Sequence, residues 1–516
     1  MLCFKKTCLA IVVLALAGTI LSQDLASFEK RTTVRVLSNG LTVILYERHS
    51  SPVFSFVTVV DVGSVQDPPG KSGMAHMFEH MAFKGSDRVG TSDYAKEDVA
   101  LQEVERAYAA YDSEARKTAG SDPQKLADLK DHFNQALKQA NQYVVGNQFA
   151  NIVSREGGVG LNAFTLPDET LYLYSLPANR LEVWAYLESE RFRHPVMREF
   201  YRERDIVLEE RRLRVDNTSA GRAGERFLEG AYTVHPYRHG ALGEASDVSH
   251  LSATEAADFS RQQYVPANTV IALVGDLTPD QVFPIIEKYF GRLPAGPKPP
   301  PVTVVEPPQS AERTVVVKEE LKVPYMEGYH RPSTLDPDNA TYDVILNLLA
   351  NGRTSRLFRS LVKEQKLALA EVAFNGFPGN KYSTLFTFLL LPLSGHSESE
   401  LSAALHVELE RLKDRGISEA ELNTVKTRTK WDLIRKLEDN QGLALQLAIN
   451  QTRYGDWRYL FRSVDQIDKV TQPDVLRVAN KTFVATNRVS LQNAQTPLVP
   501  LPQPKSKGSP AKEPKP

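Results

Sequence analysis

The stretch Ser72-Gly-Met-Ala-His-Met-Phe-Glu-His-Met-Ala-Phe83 decides how this 516-residue chain is read. It contains H-x-x-E-H: His76, Glu79 and His80. On a helix, residues four apart stand one above the other, so both imidazoles can address one metal ion. Imidazole nitrogen is a favoured zinc ligand. Glu79, three residues beyond His76, shares that face. In the H-E-x-x-H arrangement the Glu is a general base beside zinc; here the order is inverted, a variant of the same design. Met74, Met77, Phe78, Met81 and Phe83 supply an apolar surround that would dry the site. Catalytic zinc takes three protein ligands and keeps one position open, so a third ligand must come from elsewhere in the chain.

Outward from that stretch, composition sets the bounds. Apolar residues at 42%, charged residues at 24% and a net charge of −1 describe a soluble globular protein. They give no electrostatic case for nucleic acid. The length admits two large domains or three to four smaller ones. Lys5 and Lys6 precede an apolar run, Leu9 to Leu16, and small residues follow at Ala17, Gly18 and Ser22. This predicts a secretory signal over 1–22 and a periplasmic or secreted protein. Cleavage after Ala17 and near Ser22 both fit. An uncleaved anchor is the alternative, and no stable membrane span is expected once the signal is removed. Cys3 and Cys8 both fall in this segment, so the mature chain offers neither a disulfide nor a thiolate.

Before the metal motif, Thr33 to Leu37, Asn39-Gly40 and Leu41 to Tyr46 read as strand, tight turn and strand. Val53 to Val60 is a strong β-branched and aromatic strand. From about 93 to 150 the chain is helical and polar. Leu126, Leu129, Phe133 and Leu137 recur at three- or four-residue steps, with Val144 seven further on, which predicts a helical-hairpin insertion with one apolar stripe. A structural role is favoured for it over a lid or docking element. Asn162-Ala-Phe-Thr165 closes a strand that could pair with an extended peptide, although spacing alone does not separate it from an ordinary sheet strand. A helix follows from Asn179, interrupted at Pro195, and then Glu199 to Arg214. Glu203 and Glu210, seven residues apart, point the same way to within about 20°. Ile206 and Val207 are expected to press this helix into the core, where a carboxylate is costly unless paired or metal-bound. Glu210 is the candidate third ligand, while on spacing alone it also reads as one of many exposed charges.

His76-Met-Phe-Glu-His80, Gly157-Gly with Asn162-Ala-Phe-Thr165, Glu203 to Glu210, His235-Pro-Tyr237 and Asn268 to Asp276 occur in the order seen in the M16 (pitrilysin-like, inverzincin) metallopeptidases. The chain resembles the shorter subfamily that includes mitochondrial processing peptidase, from about Thr33 to Val489. The resemblance implies one zinc per chain held by His76, His80 and Glu210, with Glu79 as general base. It implies that Glu203 supports the site from behind the ligands, and that Asn162, Ala163, Phe164 and Thr165 form the substrate-pairing edge strand. The separation of His80 from Glu210 exceeds that of compact members, and the hairpin accounts for the excess.

Beyond a strand over Asn268–Val274 and a helix from Leu277 to about Phe290, the run Leu293-Pro-Ala-Gly-Pro-Lys-Pro-Pro-Pro301 places a stiff linker at 294–312. Thus 30–293 is read as the zinc-binding domain and 313–494 as a second domain. The second repeats the strand-and-helix order without the metal motif. The expected fold is α+β, two homologous domains of mostly antiparallel or mixed sheet packed with helices. The tail 495–516, rich in Pro and Lys, has no apolar periodicity and is expected to be disordered. In relatives the second domain supplies an Arg and a Tyr to the substrate; Val362 and Leu369 stand at those positions here. Neither can donate a hydrogen bond to a carbonyl or oxyanion. The resemblance therefore implies a zinc endopeptidase acting on peptides as half of a two-chain enzyme, with a related metal-free M16 chain as partner. Lys363 substituting and a shifted alignment are the alternatives at that point. A catalytically silent M16-like assembly subunit is the second reading of the whole chain.

Overall fold

The computed structural model describes residues 25–494, except Glu320 and Lys322. The signal segment, both cysteines and the Pro/Lys tail lie outside the described residues. Apolar alternation builds two sheets. The first contains β1 (Thr32–Val36), β2 (Thr42–Glu47), β3 (Val53–Val60), β4 (Val159–Thr165), β5 (Thr170–Pro177) and β6 (Thr269–Gly275), in the order β1-β2-β6-β3-β5-β4. The second contains β7 (Arg313–Val317), β8 (Tyr325–Arg331), β9 (Ala368–Phe377), β10 (Thr384–Pro392) and β11 (Arg488–Asn493), in the order β7-β11-β8-β10-β9. Without β1, both sheets run first, fifth, second, fourth, third in chain order. Each has one parallel pair, β2 with β6 and β7 with β11, among antiparallel neighbours. This is the α+β fold of two related domains that the sequence predicts.

The halves are interlocked rather than strung along a linker. The helix Asn440–Tyr454 lays Leu443, Ala444, Leu447 and Ala448 on the first sheet, against Val57, Val59, Leu173 and Val274. In exchange, the helix Ser219–Ala231 lays Ala223, Phe227, Leu228 and Ala231 on the second sheet, against Met326, Leu385, Val489 and Leu491. Each sheet thus completes its core with a helix from the other half. Apolar sheet faces left open would each expose several large side chains to water, at roughly 1.5–3 kcal/mol per side chain. The proline-rich segment is likewise docked. The Glu306 carboxylate accepts the backbone N–H groups of Thr233, Val234 and His235 at 2.8, 3.0 and 3.1 Å. Lys298 reaches Asp61 at 3.1 Å.

The hairpin helices, Tyr94–Ala115 and Pro123–Ala140, pack on one another and on the helix Phe200–Arg211. The stretch from Gln148 belongs to the body of the domain instead, because Phe149 and Val153 sit in the core with Trp184. One expectation needs correcting. Val207 is fully buried, but Ile206 is 42% exposed, so the helix presses on the core along a single narrow stripe. The reason is periodicity: adjacent residues on a helix diverge by about 100°. Among the described residues no helix is long and apolar enough to cross a membrane.

Candidate metal centre

The first ligand-bearing helix, Met74–Met81, follows the loop after β3. Its N-cap, Gly73, has φ 87°, a left-handed conformation that suits glycine, and offers no side-chain cap. The exposed amides are met from a distance: Asp67 accepts the N–H groups of Gly73 and Ala75 at 2.7 and 2.8 Å. Asp247 holds Ser72 through its N–H at 3.0 Å and its hydroxyl at 2.7 Å. Past the other end, Arg198, paired with Glu97, donates to the carbonyls of Lys84, Ser86 and Val89. Met74, Met77, Phe78 and Met81 anchor the helix in the core, leaving His76, Glu79 and His80 toward β4 and the second helix.

The second helix, Phe200–Arg211, brings Glu203 and Glu210 to the two histidines. Glu210 Oε2 lies 3.8 Å from His76 Nε2 and 3.6 Å from His80 Nε2. Its Oε1 takes an ion pair from Arg214 at 2.8 Å. One donor atom from each of His76, His80 and Glu210 lies within 4.8 Å of the others. Donors 2.0–2.1 Å from a tetrahedral zinc stand about 3.3 Å apart, so the spacing and the N/N/O donor set suit that ion. Glu203 stands behind His80, with Oε2 at 3.4 Å from Nδ1, and its Oε1 meets Lys84 Nζ at 2.6 Å. Lys84 also pairs with Glu199 at 3.1 Å. His76 Nδ1 is buried without a protein partner among the described residues.

Burial, reinforced by His80, pushes the His76 imidazolium down to about 4, which keeps that ring neutral and able to bind a metal. Burial also works against a charged His80, but hydrogen bonds to Glu203 and Glu210 outweigh it and raise that ring to about 9. The hydrogen bond from His80 and nearby positive charge hold Glu210 below the usual carboxylate range, against burial. Burial raises the Glu79 carboxyl, and a hydrogen bond from Thr165 tempers the rise. That bond runs from Thr165 Oγ1 to Glu79 Oε2 at 2.7 Å.

The structure thus gathers His76, Glu79, His80, Glu203 and Glu210, with Thr165 at their side. Asn162, Ala163 and Phe164 lie along β4, the free edge of the first sheet, and Phe164 is exposed. Val362 packs on the core of the second half, and Leu369 is 61% exposed on β9, the free edge of the second sheet. Sequence reasoning missed Lys84, Asp67 and Arg214. Lys84 lies three residues past the end of the helix Met74–Met81, so the helical spacing does not place it, and Asp67 gave no signal either.

Two related sheets, a metal-ready His/His/Glu triangle and an adjacent carboxylate define a metallopeptidase-class scaffold. The family models agree: "Insulinase (Peptidase family M16)" matches residues 42–114, and "Peptidase M16 inactive domain" matches residues 250–429. The H-x-x-E-H motif lies inside the first match and Glu210 between the two. The chain is 28% identical over 472 residues to zinc protease PqqE of Helicobacter pylori, covering 88% of this chain and 91% of that protein. It is 22% identical to the probable mitochondrial-processing peptidase subunit beta of Arabidopsis thaliana, over 87% of this chain and 76% of that one. A solved protease from Helicobacter pylori superimposes with TM-score 0.73 at 26% identity, over 89% of this chain and 98% of that chain. The periplasmic protease PqqL from Escherichia coli gives 0.65 at 18% identity, over 90% of this chain and 47% of that chain, a likeness of fold. The chain belongs to the M16 peptidase family.

Proposed function

We propose that the chain is a zinc-dependent endopeptidase of an exported compartment, cutting extended or unfolded polypeptides as the metal-bearing member of a two-chain enzyme. The observation that carries the reading is the meeting of His76, His80 and Glu210 at one point, beside Glu79. Zinc bound there supplies Lewis acidity toward a peptide carbonyl and acidifies a neighbouring water. The free edge of β4 offers backbone N–H and C=O groups that align an extended peptide past the metal helix. With Oε2 engaged by Thr165, Glu79 takes the proton of the attacking water at Oε1 and hands it to the leaving amine nitrogen. Water and amide are thereby converted to carboxylate and amine. Glu203 keeps His80 turned by accepting from Nδ1, leaving Nε2 for the metal. The exported location rests on the charge and hydropathy of residues 1–22.

Val362 and Leu369 support the two-chain element, since neither side chain can donate to the developing oxyanion. A related chain would supply those donors. The same two positions favour the second reading, an assembly subunit without turnover. Metal analysis and hydrolysis of an unfolded protein, with and without a co-purifying sister chain, separate the readings. We expect wild type and Glu79→Gln each to carry one zinc, with turnover at least about a hundredfold lower in the variant. His76→Ala and Glu210→Gln should lose the metal. One zinc with no turnover in either setting would leave only the assembly role. Full activity of the chain alone would remove the partner.

A further inference from the structure

We propose that Thr165 is the positioning residue of Glu79, and that the C-terminal half of the chain holds Thr165 in place through Asp168 and Glu169. The inference rests on Glu79 being the base. A glutamate has three rotatable side-chain bonds, and one short hydrogen bond from a fixed donor decides which oxygen faces the reactants. Thr165 Oγ1 gives that bond at 2.7 Å, in the range of a strong charge-assisted contact. The donor itself needs fixing, because Thr165 ends β4, and among the described residues β4 has a strand neighbour on one side only.

The turn after it, Leu166 to Glu169, is tied down far more than a hairpin requires. Within its own half, Ser64 N–H and Val65 N–H donate to the carbonyls of Leu166 and Pro167 at 3.2 and 3.1 Å. Gly63 permits this approach, since a Cβ there would stand 2.1 Å from the Leu166 oxygen. From the other half, Asp168 accepts the N–H groups of Asn380 and Lys381 at 2.6 and 3.0 Å, besides the Tyr237 hydroxyl at 2.5 Å. Glu169 accepts Nε of Arg453 at 3.2 Å and also its Nη2; Arg453 lies on the exchanged helix Asn440–Tyr454. Asp168 and Glu169 are 2% and 1% exposed. Two adjacent buried carboxylates are costly unless saturated, and three of the four residues that saturate them belong to the second half. The half that carries none of the candidate ligands therefore fixes the strand end that orients the base.

The test uses the zinc-loaded chain, with its partner chain if one co-purifies. Thr165→Val keeps the shape and removes the donor. We expect one zinc retained, KM within about twofold, and kcat down about 10- to 100-fold, the scale of a misplaced reacting group. A crystal structure of the variant should show the Glu79 carboxylate turned from its place. Thr165→Ser should restore both. Arg453→Met should lower kcat in the same sense and speed amide exchange over residues 163–170 without loss of zinc. Wild-type kcat and an unmoved Glu79 in Thr165→Val would overturn the role of Thr165. Zinc loss in that variant, or failure of Ser to rescue, would do so too. Unchanged exchange and kcat in Arg453→Met would overturn the part given to the C-terminal half. If wild type proves inactive, the base reading fails, and the crystallographic and exchange measurements still decide whether Thr165 and Arg453 hold the carboxylate.

Discussion

Lys84 stands four residues beyond His80, and its ammonium reaches both Glu203 and Glu199. Without it, Glu203 would face the metal helix with an unbalanced charge and more rotational freedom. Lys84→Met should keep the fold and weaken metal affinity about 10- to 100-fold, as is usual for groups that orient a ligand. Competition with a chelator measures it. At this scale the sequence was readable wherever the helix repeat governs. His76, Glu79 and His80 follow from a four-residue spacing, and Glu203 and Glu210 from a seven-residue one. Lys84 does not follow from it, since the helix ends at Met81. Nor does Asp67, because its reach to the Gly73 and Ala75 amides depends on how the Asp67–Ser72 loop folds back. Ile206 is exposed for a related reason: the buried stripe of this helix runs through Phe200, Glu203, Val207 and Arg211, and Ile206 points about 100° away from Val207.

The hairpin reads in the sequence as an insertion with an apolar stripe, and the structure shows what the stripe is for. Tyr108 and Phe133 close on Tyr201 at ring-centroid distances of 4.3 and 5.0 Å. Glu105 accepts the Tyr201 hydroxyl at 2.6 Å, and Arg204 donates to the Tyr108 hydroxyl at 2.8 Å. Tyr201 and Arg204 flank Glu203, so the hairpin braces the helix that carries both carboxylates. Phe133→Ala should cost about 3–5 kcal/mol in denaturant unfolding, the usual loss for a buried aromatic ring. The partner stripe was invisible, since nothing local ties residue 133 to residue 201. A second element-scale expectation concerns β9. Burial raises the Glu371 carboxyl to about 7, and among the described residues Ser355 alone donates to it, at 3.2 Å. The folded chain then keeps a proton that the unfolded chain loses near pH 4.5. Stability from this group falls as pH rises from about 4.5 to about 7 and is flat above, by about 3 kcal/mol at most. Glu371→Gln should abolish that slope in denaturation curves recorded at pH 5 and pH 8.

At the scale of the whole chain, a second succession of strands and helices was legible after the proline-rich segment, whereas the order of strands within each sheet was not. Nor was the exchange of helices. Amphipathicity announces that the helices Ser219–Ala231 and Asn440–Tyr454 will each bury a face, but not which sheet receives it. The proline-rich segment marks a boundary in the chain that the packing does not respect. Residues 25–293 expressed alone should therefore be insoluble or open, with Val57, Val59 and Val274 uncovered. Co-expression with residues 294–494 should recover a soluble complex, seen as co-elution on a sizing column.

The crossed helices also bear on how the molecule comes apart. Neither half has a private route to the unfolded state, because loosening one strips the roof from the other. Thermal damage to the ligand-free half would reach the histidines in the same event, and recovery would require both halves to close together.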